Sequence, residues 1–207
     1  MVELEFFKSM PEGIRKDAWF LTKVTMTGQE RNPETGRYPL LNWDDPATNQ
    51  KHPYWKKNIE SSDWVFNYDD GYYETKGISS ASGKTRMIFR YADILLLYAE
   101  AVAYGTKSID DLAFDCMWRV QERAGVPLIS KDVTKEYFQK AVLDERRWET
   151  AGMEHSCMGR FFTMQRHEIL HLQKNYRDAA ELSLNPNLTL SEEFYYFPIP
   201  DNELLIV

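Results

Sequence analysis

Cysteine is scarce in this chain, with only Cys116 and Cys157 among 207 residues. Two cysteines so far apart cannot frame a disulfide scaffold, and alone they cannot complete a four-ligand zinc site. We therefore expect both to be small apolar residues on helices.

The sequence also lacks a basic cluster and a long apolar run. Lysine and arginine are scattered among more numerous acids, and the formal net charge is −7. Nucleic-acid binding needs a clustered basic footprint, so nucleic acid is not expected as a partner. The longest apolar run, 94–97, is far too short to span a bilayer. Residues 1–10 lack the basic start and apolar core of a signal peptide.

No motif for nucleotide or acyl chemistry is present. The glycines are too dispersed for a phosphate-binding loop or a dinucleotide fingerprint, and no G-x-S-x-G nucleophile elbow occurs. The sequence therefore predicts no cofactor.

Aromatic residues, in contrast, are abundant at 14% of the chain. Many lie between residues 17 and 88, where Pro, Gly, Asn and Asp interrupt any helical period. A loop region of this length is uncommon unless it is functional. Sugar rings stack on flat aromatic faces while nearby polar groups bind their hydroxyls. The candidate ligand-binding residues are Trp43, Asp44, Tyr54, Trp55, Trp64, Asn67, Tyr68 and Tyr72.

From Met87 onward the periodicity is helical. The pattern predicts helices over roughly 89–104, from a Ser108 cap to Gly125, from Thr134 onward, and over roughly 158–176. Small residues on their contact faces favour paired helices. We predict a mainly α fold of tetratricopeptide-like hairpins, with a long loop-rich region that carries little strand.

The segment from His167 to His171 reads H-E-x-x-H. On a helix, His167 and His171 would share a face and could chelate zinc, with Glu168 as general base. Glu192 or Glu193 could supply a third ligand. A zinc-dependent metallohydrolase is therefore one alternative function. The other interpretation of the motif is an exposed helix face without metal.

Glu145 and Glu149 also share a helix face, at a spacing that could serve acid–base catalysis. Several arginines lie nearby in sequence, among them Arg146 and Arg147. We therefore expect ion-paired helix packing at these carboxylates rather than chemistry.

Five short stretches together resemble the C-terminal region of the SusD/RagB family. They are Arg90 to Ala101, Arg119 to Gly125, Glu145 to Glu149, Arg160 to Arg166, and the Phe197-Pro198-Ile199-Pro200 ending. The resemblance covers roughly residues 86–200, with a weaker similarity in 13–60. Thr163 stands where the family usually carries an aspartate.

The resemblance implies a non-catalytic lipoprotein of the Bacteroidetes outer membrane, exposed at the cell surface. Such proteins capture oligosaccharides, or other nutrients such as peptides, and partner a TonB-dependent transporter of the SusC type. The chain shows neither the signal peptide nor the lipidation cysteine, so we expect a truncated C-terminal domain. We predict a single domain over 1–207, with a ligand region at 17–88, helical hairpins at 89–180 and coil at 181–207. A third interpretation is a helical scaffold that binds another protein along its first two helices.

Overall fold

The computed structural model describes residues 2–25, 30–48, 51–56, 64–67, 72–75, 89–152, 161–169 and 179–184. The helices are α1 (Leu4–Ser9), α2 (Ile14–Trp19), α3 (Tyr91–Tyr104), α4 (Asp111–Ala124), α5 (Lys135–Thr150), α6 (161–166) and α7 (Ala179–Leu184). The described part of the chain is mainly helical, which confirms the predicted fold class. Within it, no helix combines the length and apolar character needed to cross a membrane.

Helices α3, α4 and α5 enclose the main hydrophobic core. The fully buried members lie on one face of each helix, at the spacings that the sequence predicts: Ala92, Leu96, Ala99, Ala103, Ala113, Cys116, Met117, Val120, Phe138 and Val142. Small residues on α3 allow the other two helices to approach it closely. Phe138 is 0% exposed, and burial of such a side chain contributes about 1.5–3 kcal/mol. Cys116 is a buried free cysteine, as expected, whereas Cys157 lies outside the described residues.

The ends of these helices follow local capping chemistry. Thr134 caps α5, as predicted, and its hydroxyl accepts a hydrogen bond from the Tyr137 amide at 3.2 Å. Gly125 ends α4 in a left-handed conformation (φ 68°), which glycine adopts without steric cost. The predicted Ser108 cap of α4 is wrong. Asp110 is the cap, and its carboxylate accepts from the Ala113 amide at 2.8 Å. The helix begins two residues later than predicted, and Ile109, just before the cap, packs against the core.

A second, aromatic cluster joins the N-terminal helices to the end of α5. Val2, Phe6, Met10 and Phe20 are its buried members. Half-buried aromatic side chains surround them, including Trp148 near the C-terminal end of α5. The cluster therefore fixes residues 2–20 against the helical core.

Where the structure describes the predicted loop-rich region, it contains six short strands: β1 (Phe20–Leu21), β2 (Lys23–Thr25), β3 (Leu40–Asn42), β4 (Tyr54–Trp55), β5 (Trp64–Asn67) and β6 (Tyr72–Thr75). They form three two-stranded antiparallel ladders, β1–β4, β2–β3 and β5–β6. None exceeds four residues, so the described part of this region carries little strand, as predicted. The division of the chain into 17–88, 89–180 and 181–207 stays a prediction, and α7 reaches into the range where coil is predicted.

Candidate functional site

The segment 20–25 gathers several predicted ligand-binding residues. β1 pairs Phe20 with Trp55 and Leu21 with Tyr54. β2 pairs with β3, and the Trp43 amide then donates to the carbonyl of Thr22 at 2.8 Å. Strand β6 also comes close to β2. The sequence pattern could not show this convergence, because it depends on pairing between distant strands.

Trp43 and Asp44 lie in a tight turn that follows β3. The hydroxyl of the buried Thr48 donates to the Trp43 carbonyl at 2.9 Å. The Asp45 carboxylate accepts from the Ala47 amide at 2.8 Å. The Trp43 ring is half-buried and meets Phe7 in an edge-to-face contact with centroids 5.8 Å apart. That contact occupies at most one face of the indole, and the Asp44 side chain beside it is exposed.

Trp55 is held more firmly, as a member of the aromatic cluster. Its ring lies 5.1 Å from the Phe20 ring and 6.0 Å from the Phe6 ring, measured between centroids. It also rests on Gly152, where an added Cβ would come within 2.7 Å of the indole. The φ of Gly152 is 67°, a region that favours glycine. The geometry therefore gives Trp55 an anchoring role between the loops and the end of α5, and its predicted contact with ligand stays a prediction.

The remaining candidates are Tyr54 and the residues around the β5–β6 ladder. Tyr54 is half-buried beside Trp55, and burial raises the pKa of its hydroxyl. Asn67 and Tyr72 are directly paired at the end of the β5–β6 ladder, and Trp64 pairs with Thr75 at its other end. Tyr68 lies outside the described residues. These positions stay predictions.

The helix predicted over 158–176 is wrong at residues 167–169, because α6 ends at residue 166; residues 158–160 and 170–176 lie outside the described residues. The amide of Ile169 donates to the carbonyl of Met164 at 2.8 Å, and that of Glu168 to Gln165 at 3.1 Å. This is the bonding of a Schellman cap, with Glu168 in the left-handed conformation (φ 54°) that usually belongs to glycine. The first two residues of the H-E-x-x-H motif therefore lie in a turn. His171, Glu192 and Glu193 lie outside the described residues.

His167 is engaged in a different contact. Its Nε2 lies 2.8 Å from Oε1 of Glu100, and its ring stacks on Tyr104 with centroids 3.9 Å apart. A helical face with His167 as a zinc ligand was the premise of the metallohydrolase interpretation, and the turn removes that premise. Among the residues that the structure describes, no group of three or more His, Cys, Asp or Glu side chains is arranged to hold a metal.

Glu100 is the centre of an ion cluster that joins three helices. Its Oε1 accepts from Arg166 at 2.8 Å, and Arg146 of α5 bonds its other oxygen. Burial would raise the pKa of Glu100, but the hydrogen bonds from Arg166 and His167 and the charge of Arg146 outweigh it. The pKa therefore lies below its ordinary value.

A second ion cluster contains Glu145 and Glu149, both 2% exposed or less. Arg15 of α2 bonds Glu145 and also lies 3.3 Å from Glu149 Oε2. Arg90 donates from Nη1 to Glu149 Oε1 at 3.0 Å, and Arg123 bonds the same oxygen. The predicted ion-paired role is confirmed. The partners are not the sequence neighbours, however, and only their positions in the fold identify them.

Comparison with known proteins identifies the family of this chain. The sequence model of the SusD family matches residues 10–205. The chain belongs to the SusD family. No curated protein matches it at a significant level. The SusD family is generally one of non-catalytic binding proteins associated with the outer membrane.

A solved structure agrees with this membership. The chain resembles a SusD superfamily protein from Bacteroides vulgatus, whose crystal structure was determined at 1.55 Å resolution. The TM-score is 0.50 at 19% sequence identity, over 97% of this chain and 40% of that protein. At this identity the likeness shows the SusD fold alone. The chain thus spans 40% of the length of the solved protein.

Proposed function

We propose that this chain captures oligosaccharides, or related nutrients, without catalysis and presents them to a TonB-dependent transporter of the SusC type at the outer membrane. Membership of the SusD family supports a binding function of this kind. The proposed setting is the surface-exposed lipoprotein of a Bacteroidetes outer membrane.

The turn around Trp43 is the observation that carries this proposal. Its backbone is bonded to Thr22 and Thr48, and the indole packs edge to face on Phe7, so the ring is positioned before any ligand arrives. A preordered ring loses little conformational freedom on binding. The exposed Asp44 carboxylate next to it can accept hydrogen bonds from sugar hydroxyls. An aromatic face beside a polar acceptor is the pairing that carbohydrate binding requires.

The candidate residues differ in the roles that we propose for them. Trp43 and Asp44 are the leading pair. Tyr54 lies on β4, which pairs with β1, and β1 directly precedes the strand β2 that pairs with β3. Trp55 acts mainly by holding that strand against Gly152. Trp64, Asn67 and Tyr72 lie on the paired strands β5 and β6, and they stay further candidates together with Tyr68, which lies outside the described residues.

Titration calorimetry against a panel of oligosaccharides tests the proposal. Trp43→Ala should weaken binding about thirtyfold, because loss of a buried aromatic contact costs about 2 kcal/mol. Tyr137→Ala is a matched control, since Tyr137 is 59% exposed on α5. It lies roughly 17 Å along that helix from Trp148 of the aromatic cluster, at about 1.5 Å per residue.

Two results would count against the proposal. Absence of binding to plant, host and microbial glycans and to peptides would remove capture as the function. Equal loss of affinity in the Trp43 and Tyr137 variants would remove the turn as the site. Chromatography of the incubated oligosaccharides should show no new cleavage products, because we propose that no bond is broken.

A further inference from the structure

The backbone bonds of Trp43 do not by themselves set the orientation of its ring. They join its amide and carbonyl to Thr22 and Thr48, and they leave the two torsions of the side chain free to take several rotamers. Ring orientation therefore depends on side-chain contacts. Among the described residues, the aromatic partner of Trp43 is Phe7 of α1, which it meets at an interplanar angle of 76°.

Phe7 is itself held by a neighbouring ring and by a buried cation. Its ring meets Phe20 edge to face, with centroids 5.1 Å apart. The ammonium of Lys16 in α2 lies 4.5 Å from the centroid of the same ring. The Lys16 side chain is only 8% exposed, and its Nζ also donates to the Met10 carbonyl at 3.0 Å and to Glu12 at 2.6 Å. A cation–π contact is stronger where it is desolvated, so Lys16 fixes the orientation of Phe7.

Neither residue belongs to the ligand region that the sequence predicts. That region is 17–88, whereas Phe7 and Lys16 lie before it. The match of the SusD family model begins at residue 10, after the end of α1. The contact between residues 7 and 43 arises only in the fold, which brings α1 against the turn that follows β3. Neither the sequence pattern nor the family match therefore assigns a role to Phe7.

We propose that Lys16 and Phe7 are a positioning pair for the candidate ligand site, an inference that rests on the proposed function. Lys16 holds the ring of Phe7, and Phe7 restricts the rotamers of Trp43, so the indole is already oriented when an oligosaccharide stacks on it. Without this pair the indole loses more conformational freedom on binding, and that loss lowers the affinity. Both residues act through Trp43 rather than by binding the sugar.

Two test variants and one matched control separate positioning from general packing. Phe7→Leu removes the ring, and Lys16→Met keeps the aliphatic stem but removes the cation. Phe6→Leu is the control, because Phe6 also lies on α1 and is more deeply buried, at 8% exposed. Its ring contacts are with Phe20 and Trp55, and none is with Trp43. Thermal unfolding should therefore show at least as large a loss of stability in Phe6→Leu as in Phe7→Leu.

Fluorine NMR of the full chain labelled with 5-fluorotryptophan measures the ring without any ligand. The chain has six tryptophans, and Trp43→Phe identifies the signal of Trp43. Phe7→Leu should move and broaden that signal, because it removes a neighbouring ring current and a restraint. Lys16→Met should broaden it as well, whereas Phe6→Leu should leave it in place. A Trp43 signal that is unchanged in either test variant would overturn the inference and leave the proposed function standing.

Titration calorimetry with the tightest-binding oligosaccharide of the panel tests the effect on affinity. Phe7→Leu should weaken binding about fivefold, and Phe6→Leu by less than about twofold. In the Trp43→Ala background, Phe7→Leu should cause no further loss, because no indole is left to position. Equal losses in the Phe6 and Phe7 variants, or a loss that persists without Trp43, would overturn the inference. Absence of binding by the parent chain would remove the proposed function and this inference together.

Discussion

Replacement of Glu149 by glutamine tests the ion cluster that connects four parts of the fold. The change keeps the size of the side chain but removes the charge. Arg15, Arg90 and Arg123 would then lose the carboxylate that they share. The cluster joins α2, the residue before α3, α4 and α5, so its loss should destabilise the whole described helical body.

The magnitude depends on how deeply each partner is buried. The side chain of Arg15 is 3% exposed and that of Arg90 is 14% exposed. Arg123 is 59% exposed, so solvent screens its contribution and we discount it. Removal of one partner from a buried ion pair costs about 3–5 kcal/mol, because the other charge stays buried without compensation. For a domain of this size, that cost lowers the melting temperature by roughly 6–20 °C.

Calorimetry and urea denaturation of the variant measure this cost. Glu122→Gln is the matched control, since Glu122 is exposed on α4 and such a surface change alters stability by at most about 0.5 kcal/mol. A loss below about 1 kcal/mol for Glu149→Gln would refute the reasoning, because it would mean that the three guanidiniums are satisfied without the carboxylate.

Two further predictions concern the end of α6 and its ion cluster. The folded pKa of Glu100 lies below its ordinary value of 4.5. Its contribution to stability is therefore complete above about pH 4.5 and is lost as the pH falls through the lowered folded pKa. Denaturation of Glu100→Gln across the acid range should show a flatter pH dependence than the parent, and an unchanged slope would contradict this. Glu168→Gly should raise stability by about 1 kcal/mol, because glycine occupies the left-handed position at lower cost. A loss of stability on thermal unfolding would show that the Glu168 side chain makes a needed contact.

The sequence predicts most of the helical core, because helix signals are local. A capping threonine at 134 and a terminal glycine at 125 lie within a few residues of the hydrogen bonds that they determine. The apolar spacing of α3 similarly identifies its buried face. The wrong cap predicted for α4 also arises from local signals, since Ser108 and Asp110 are both good capping residues two positions apart and the structure uses Asp110.

The extent of α6 could not be predicted in this way. The stretch from His167 to His171 has helix-forming residues and no glycine or proline, so its pattern favours continuation. The structure ends the helix at a glutamate in the left-handed conformation, and the bonds of His167 to Glu100 and Tyr104 accompany this end. Contacts between residues 67 positions apart are invisible in a local pattern.

The sequence also could not predict which aromatic residues of the loop region are open to a ligand. Trp43 and Trp55 have similar polar neighbours in the sequence, and either could stack on a ligand. Only the structure distinguishes them, because Trp55 lies on Gly152 and against Phe20, whereas Trp43 meets Phe7 of α1 edge to face. Composition therefore predicts that aromatic side chains are available, but tertiary packing decides which of them can face a ligand.

Four of the five motifs that resemble the family contribute charged residues to the ion clusters, and the fifth, at 197–200, lies outside the described residues. In the first motif, the Asp93 carboxylate accepts from the Arg90 amide at 2.9 Å, and the Arg90 guanidinium reaches Glu149 of the third motif. Arg123, from the second motif, reaches the same carboxylate. Each charged residue thus fixes the position of one helix relative to another.

The other cluster follows the same principle. Glu100 closes the first motif, and it binds Arg146 of the third motif and Arg166 of the fourth. Because these charged side chains are paired between packed helices, the motifs determine the helical scaffold and do not determine which ligand is bound. Trp43 and Asp44 belong to none of the motifs, and no charge in either cluster bonds them among the described contacts. The ligand that the chain binds can therefore change through substitutions in the loop region while the buried charges keep the helices in place.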